Sequence, residues 1–350
     1  LAIDTNSSLK LQKGNFKILL SKNEMEPVKL AAKTLCKDFE KVMHYKPEIF
    51  QNTDDTQQID IVIINEAVDN PLFQSRFIRP LDGFESHRVY CSPEEKRIYL
   101  HGKDMRGAIY AIYTFSELFL GVPPLWYFCS WEPQYKKQVE IKSSFDYFKK
   151  SPQVRYRAWF PNDTDLFKPW RRLSKENDEL WLETMLRLKL NTVELEATVT
   201  YPDYKLNSQA ALLRKYGLVL TFHHHVACNN NLMNWAGYWR KVRGVEPPEL
   251  LLSNEKALIE FWQYSIETVC RNKQENLWQI AFRGVNDQPF WAAFSDAPKD
   301  DKERADIILI CWLKVIYNLQ QVKICSGLLL QDGEIIILMM IWSHSIRRNK

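Results

Sequence analysis

Four stretches of this 350-residue chain place acids, amides, imidazoles and a guanidinium where a short apolar run has just ended. Asn162, Asp163 and Asp165 follow residues 156–160. Glu194 and Glu196 close residues 191–196, with Tyr201 and Asp203 beyond them. His223, His224 and His225 follow the run that starts at residue 218, and Asn229, Asn230 and Asn231 come shortly after. Arg283, Asn286 and Asp287 follow residues 277–282, ahead of Phe290 and Trp291. Two acidic groups flanking a glycosidic bond can cleave it, one donating a proton and the other activating water or attacking carbon. Asp163 and Asp287 are the candidate catalytic pair, with a turn or helix cap as the plainer role for Asp163. Arg283 suits a substrate carboxylate, which its planar fork grips through two parallel hydrogen bonds, or else an ion pair with a neighbouring acid. Asn162, Asn286, His223 and His224 offer donors and acceptors to hydroxyls. Trp291 offers a flat ring to a sugar face, unless it folds with Phe290 into the core.

The three consecutive histidines admit a second chemistry. On a strand, His223 and His225 project to one side and His224 to the other, and two converging imidazoles can hold zinc. The remaining histidines are His44, His87, His101 and His344, none near in sequence, so the ligand set is incomplete and no metal or cofactor is assigned. A metal-dependent hydrolase built on His223 and His225 stays as an alternative. Cys228 reads as a small buried residue rather than a thiol nucleophile. No Gly-x-Gly-x-x-Gly, phosphate loop or Gly-x-Ser-x-Gly occurs, which removes the usual anchors for nucleotide binding and serine hydrolysis.

These groups need a scaffold. Residues 1–150 read as a mixed α/β unit, with strands at 16–20 and 60–65, a hairpin joining 88–91 to 97–102, and helices at 25–43 and 105–120. Residues 132–152 read as a polar connector. Beyond it, strands at 156–160, 191–196, 218–223 and 277–282 alternate with helices at 177–189, 208–216, 254–271 and 302–320. Such alternation predicts parallel βαβ units and function on the loops after the strands. The expected fold class is α/β, an N-terminal mixed α/β domain (1–150) followed by a (β/α)8 TIM-type barrel (151–320) that is incomplete in this chain. Residues 321–350 read as an aberrant or truncated tail.

Composition narrows the class. Apolar content of 45% with 26% charged residues describes a globular protein able to bury a large core. The net charge of +4 is small and dispersed, so nucleic acid is not an expected partner. The longest apolar run, 335–342, is too short to cross a bilayer, so no membrane partner is expected. The 7 cysteines are widely spaced without a metal or disulfide pattern, which predicts reduced, buried thiols. The first residue is Leu1, with no basic-then-apolar leader after it, so a signal peptide was either removed or never present. The 12 Trp, 18 Phe and 15 Tyr leave room for sugar stacking after the core is filled.

Ordered landmarks across about residues 85–320 resemble glycoside hydrolase family 115, the xylan α-1,2-glucuronidases. Residues 104–117 (Asp-Met-Arg-Gly-Ala-Ile-Tyr-Ala-Ile-Tyr-Thr-Phe-Ser-Glu), with Gly121 and 124–127 (Pro-Leu-Trp-Tyr), resemble the end of that family's first domain. Residues 156–163 (Tyr-Arg-Ala-Trp-Phe-Pro-Asn-Asp) resemble the opening of its barrel. Residues 186–191 (Leu-Arg-Leu-Lys-Leu-Asn), 221–224 (Thr-Phe-His-His) and 282–287 (Phe-Arg-Gly-Val-Asn-Asp) resemble later passages. The resemblance implies an inverting enzyme that removes glucuronic acid, or its 4-O-methyl ether, from xylan side chains, with a polysaccharide or oligosaccharide as partner and a secreted or periplasmic setting. A non-catalytic carbohydrate-binding remnant of such an enzyme is the alternative. Departures are Thr164 where the family has Glu, His225-Val-Ala where it has Glu-Pro-Met, and residues 192–197 (Thr-Val-Glu-Leu-Glu-Ala), which lack its aromatic, proline-containing run. The family's leading general acid lies beyond the region where the pattern holds, and Glu334 does not inherit that role.

Overall fold

The computed structural model describes residues 7–51, 58–69, 78–160, 164–195, 199–279, 283–307, 310 and 314. The chain divides into two compact units, residues 1–191 with 215–217, and residues 192–214 with 218–350.

In the first unit, β1 (Ser8–Gln12) and β2 (Phe16–Leu19) lead into α1 (Glu26–Met43), followed by β3 (Ile49–Phe50) and β4 (Ile59–Asn65). The hairpin β5 (His87–Ser92) and β6 (Arg97–Gly102) precedes α2 (Met105–Phe115), which continues as a π turn over Ser116–Leu120. Gly121, at φ 74°, ends it. Strands β2, β3, β4 and β6 run parallel, and β5 is antiparallel to β6. Every residue of β4 is buried, as a strand covered on both faces requires. On α1, Val28, Ala31, Leu35, Phe39 and Val42 form the buried stripe that the helical spacing predicts. Asp104 caps α2 by accepting from the Gly107 amide at 2.8 Å. Gly102 is required for a different reason: a Cβ there would sit 1.8 Å from the Ala108 nitrogen, so β6 and α2 meet backbone to backbone.

The expected connector at 132–152 is instead built into sheets. β7 (Gln138–Lys142) pairs antiparallel with β1, and β8 (Asp146–Lys149) adds to the β5 edge. Val139 and Ile141 point inward while their polar neighbours face out, a period of two that the lysine content obscures. The strand expected at 156–160 shrinks to β9 (Ala158–Trp159). Its start is taken by Asn191, whose side chain accepts from the Arg157 amide at 2.8 Å while its own amide donates to the Arg157 carbonyl at 3.0 Å. Helices α3 (Thr164–Leu173) and α4 (Glu176–Arg187) follow.

One buried cluster ties this unit together. Glu85 accepts from Arg106 at 2.6 Å, from Asn191 at 2.8 Å and from Arg157. Its amide donates to Asp104 at 2.8 Å. Its side chain is 1% exposed, and two guanidiniums pair with the buried carboxylate.

The second unit holds β10 (Thr192–Leu195), the short pair β11 (Val199–Thr200) and β12 (Lys205–Leu206), α5 (Ser208–Tyr216), β13 (Val219–Phe222), α6 (Trp235–Tyr238) and α7 (Glu255–Arg271). β10 and β13 are parallel, with Thr192 opposite Val219 and Leu195 opposite Phe222. The next segment lies parallel to β13 through Leu220 and Asn276, and the Leu277 amide donates to the Leu220 carbonyl at 2.8 Å. The full strand expected at 277–282 is not formed among the described residues. The Gln279 carbonyl turns to accept from the Cys228 amide at 2.9 Å, and residues 280–282 lie outside the described residues. The core is aromatic: Trp235, Tyr238, Trp239, Phe261, Trp262, Phe290 and Phe294 pack together. Parallel strands separated by helices agree with an α/β architecture; barrel closure is not seen among the described residues. Of the helix expected at 302–320, residues 301–307 are helical, and residues 315–350 lie outside the described residues.

Thiol expectations need two corrections. Cys36, Cys91 and Cys228 are free and buried, but Cys129 is exposed and Cys270 is disulfide-bonded. Widely spaced cysteines carry no pairing signal in sequence, because only the fold brings them together.

Candidate functional site

The polar groups that come together are His224, Arg283 and Asp287. Residues 283–289 form a tight turn, closed by the Gly284 amide donating to the Gln288 carbonyl at 2.8 Å, with Arg283 opposite Pro289. Asn286 and Asp287 both have positive φ, 52° and 59°, a conformation that Asn and Asp tolerate better than most residues. The turn swings the Asp287 carboxylate back onto Arg283, whose Nε and Nη2 donate at 2.9 and 3.0 Å. His224 Nε2 reaches the same carboxylate at 2.6 Å. Hydrogen bonds from Arg283 first, and then from His224, pull the Asp287 pKa down to about 2. Asp287 is therefore a permanent anion at ordinary pH, and its half-exposed side chain faces solvent.

The histidines do not alternate across a strand. β13 ends at Phe222, and a turn closes where the Val226 amide donates to the His223 carbonyl at 2.9 Å. The turn gathers all three rings: the centroids of His223 lie 3.8 Å from His224 and 4.6 Å from His225. Nδ1 of His223 and Nδ1 of His225 are 2.8 Å apart, so one ring donates to the other.

The asparagines that follow hold this turn. Asn231 donates to the His225 carbonyl at 3.1 Å and accepts from the Met233 amide at 2.8 Å. Asn229 donates to Asn276 at 2.8 Å, and Asn230 exchanges hydrogen bonds with the Tyr201 hydroxyl at 3.0 and 3.1 Å. Cys228, 1% exposed, is buried beneath. Trp291 packs against the aromatic core with Arg304 over its ring at 5.1 Å, and Phe290 is buried within that core. Asn162, Asp163 and Glu196 lie outside the described residues. In sequence Asn231 is named only as a neighbour of the histidines and Asn276 not at all, because their bonds, to the His225 carbonyl and from the Asn229 side chain, depend on how the turn folds.

The carboxylate, guanidinium and imidazoles thus cluster on the segments that follow parallel strands, the side on which α/β units carry their chemistry. Residues 149–318 match the family model described as glycosyl hydrolase family 115. No curated protein matches the chain. Among solved structures it is similar to BtGH115A, described as a family GH115 4-O-methyl-α-glucuronidase with specificity for decorated arabinogalactans. The identity is 23% and the TM-score 0.71, over 89% of this chain and 41% of that one. It is also similar to the chitobiase FjGH20 of Flavobacterium johnsoniae, at 11% identity and TM-score 0.53, over 89% of this chain and 49% of that one. At such identities the likeness is one of fold, and the chain spans less than half the length of either structure.

Proposed function

We propose that this domain belongs to a glycoside hydrolase that releases glucuronic acid, or its 4-O-methyl ether, from xylan-type side chains with inversion. The observation that carries this reading is Asp287 clamped between Arg283 and His224 on the loop that follows the β13-flanking segment. A carboxylate held ionised cannot be the proton donor, so Asp287 takes the other half of the chemistry. It accepts a hydrogen bond from the attacking water or from a sugar hydroxyl, while Arg283 and His224 fix its orientation. Water adds at the anomeric carbon, its proton passes to carboxylate, and the glycosidic oxygen takes a proton from an acid as the bond breaks. His223, Asn286 and Trp291 are the proposed further sugar contacts of this unit, while Asn162 and Asp163 lie outside the described residues. The general acid lies outside the residues that carry the family resemblance, and no residue of this chain is assigned to it.

Asp287→Asn tests this reading. Turnover of a 4-O-methylglucuronoxylo-oligosaccharide should fall about 100-fold or more while the variant keeps its melting temperature within a few degrees. Wild-type rates in the variant would remove Asp287 from the chemistry. Tight binding of the oligosaccharide by the wild type without cleavage would identify a carbohydrate-binding domain instead. An arabinogalactan bearing the same acid, run in parallel, distinguishes recognition of the acid from recognition of the backbone.

A further inference from the structure

We propose that His223, His224 and His225 form a binding site for a zinc-type divalent ion. One ring nitrogen from each of the three residues lies within 4.8 Å of the others. Three imidazoles suit zinc, copper or nickel and disfavour magnesium and calcium, which take oxygen ligands.

The local geometry goes beyond proximity. Nδ1 of His223 and Nδ1 of His225 face each other at 2.8 Å across a single shared proton. In a tetrahedral site with bonds of about 2.05 Å the donor atoms stand about 3.3 Å apart, so an ion replacing that proton needs the rings to part by about half an ångström. The third ring has a partner that sets its tautomer. His224 directs Nε2 to Asp287 at 2.6 Å, which leaves its Nδ1 with the lone pair a metal takes. A carboxylate behind a histidine is the usual support of a metal-bound imidazole, fixing tautomer and orientation. Arg283, on the far side of Asp287, holds that carboxylate in turn.

The turn is also rigid and accessible. It is closed by the Val226 amide on His223 and by Asn231 on the His225 carbonyl, so the rings are gathered without an ion. All three histidines are half-buried, which leaves a path for the ion and a fourth position for water or a ligand oxygen. In sequence the strand expectation left only the pair His223 and His225, with His224 sent to the opposite face and no other histidine near. The end of β13 at Phe222 removes that objection.

This inference does not rest on the glycosidase reading, because binding is measured without any glycan. The chain is stripped with EDTA, dialysed, and titrated calorimetrically with zinc sulfate, with magnesium sulfate as control. The expected result is one zinc per chain, no magnesium binding, and affinity weakened at least 10-fold in both His223→Ala and His225→Ala. Asp287→Asn should weaken it by about 10- to 100-fold while leaving the three ligands in place. Cobalt(II) loading of the wild type gives a readout independent of any variant, since nitrogen-ligated tetrahedral cobalt absorbs visible light strongly and aqueous cobalt does not. No stoichiometric zinc in the wild type, or unchanged affinity in both histidine variants, overturns the proposal. A cobalt spectrum identical to that of the free ion overturns it as well.

Discussion

Replacing Arg187 by Met should destabilise the first unit by about 3 kcal/mol, through a charge left buried rather than through lost packing. The Arg187 side chain is 1% exposed and that of Asp38 0%, with Nη2 donating to Oδ2 at 2.6 Å. The guanidinium also donates to Glu183 at 2.8 Å and lies over the Tyr113 ring at 4.6 Å. Burial opposes its charge, yet Asp38 and then Glu183 carry its pKa above the ordinary value. Breaking a buried pair by removing one partner costs about 3–5 kcal/mol. The lower end applies here, because Asp38 keeps the Ser116 hydroxyl at 2.6 Å and Lys41 at 3.5 Å. Asp38→Leu alone should cost a similar amount by stranding Arg187. The double variant Asp38→Leu/Arg187→Met should return to within about 2 kcal/mol of the wild type, since an apolar pair replaces the ionic one. Urea denaturation followed by tryptophan fluorescence reads this directly, because Trp181 is buried on the same helix. A loss below about 1 kcal/mol in Arg187→Met, or a double variant as weak as the sum of the singles, refutes the reasoning.

His87 predicts a pH dependence. It is 2% exposed, lies 3.3 Å from the Glu85 carbonyl through Nδ1 and 3.3 Å from the Thr114 hydroxyl through Nε2, and burial lowers its pKa from 6.5 to about 4. The unfolded chain then binds more protons between those values, so stability is intact above about pH 6.5 and falls by about 3 kcal/mol as pH drops towards 4. Denaturation at pH 7 and pH 5 checks it, and a flat profile contradicts it. Gly102→Ala should cost about 4 kcal/mol or abolish folding, because its Cβ would meet the Ala108 nitrogen at 1.8 Å; a folded variant of wild-type melting temperature rules that out. Asp104→Ala should cost about 1–2 kcal/mol by uncapping α2 and freeing the Glu85 amide, as thermal melts would show.

The elements with strong periodicity were legible: the β4 run, the α1 stripe and α7 all form where the spacing puts them. The 138–149 segment was not, because its alternation sits among lysines. Of the apolar run at 277–282, Leu277 bonds to Leu220 as a strand would, the Gln279 carbonyl turns to Cys228, and residues 280–282 lie outside the described residues. Several residues that carried the family resemblance prove to be folding residues. Asp104, Arg106, Arg157 and Asn191 converge on Glu85, which no local signal marks. At the site, the acid and the guanidinium four residues apart were legible as chemistry. Their mutual pairing, and the gathering of three histidines by a turn, depend on backbone angles that residue types alone do not specify.

The most direct test of the account follows a 4-O-methylglucuronoxylo-oligosaccharide with the wild-type chain by proton NMR from the first minutes of reaction. The account predicts free uronic acid appearing first as the β-anomer, with the xylo-oligosaccharide backbone uncut. An oligosaccharide that binds and stays intact, or acid released first as the α-anomer, would contradict it.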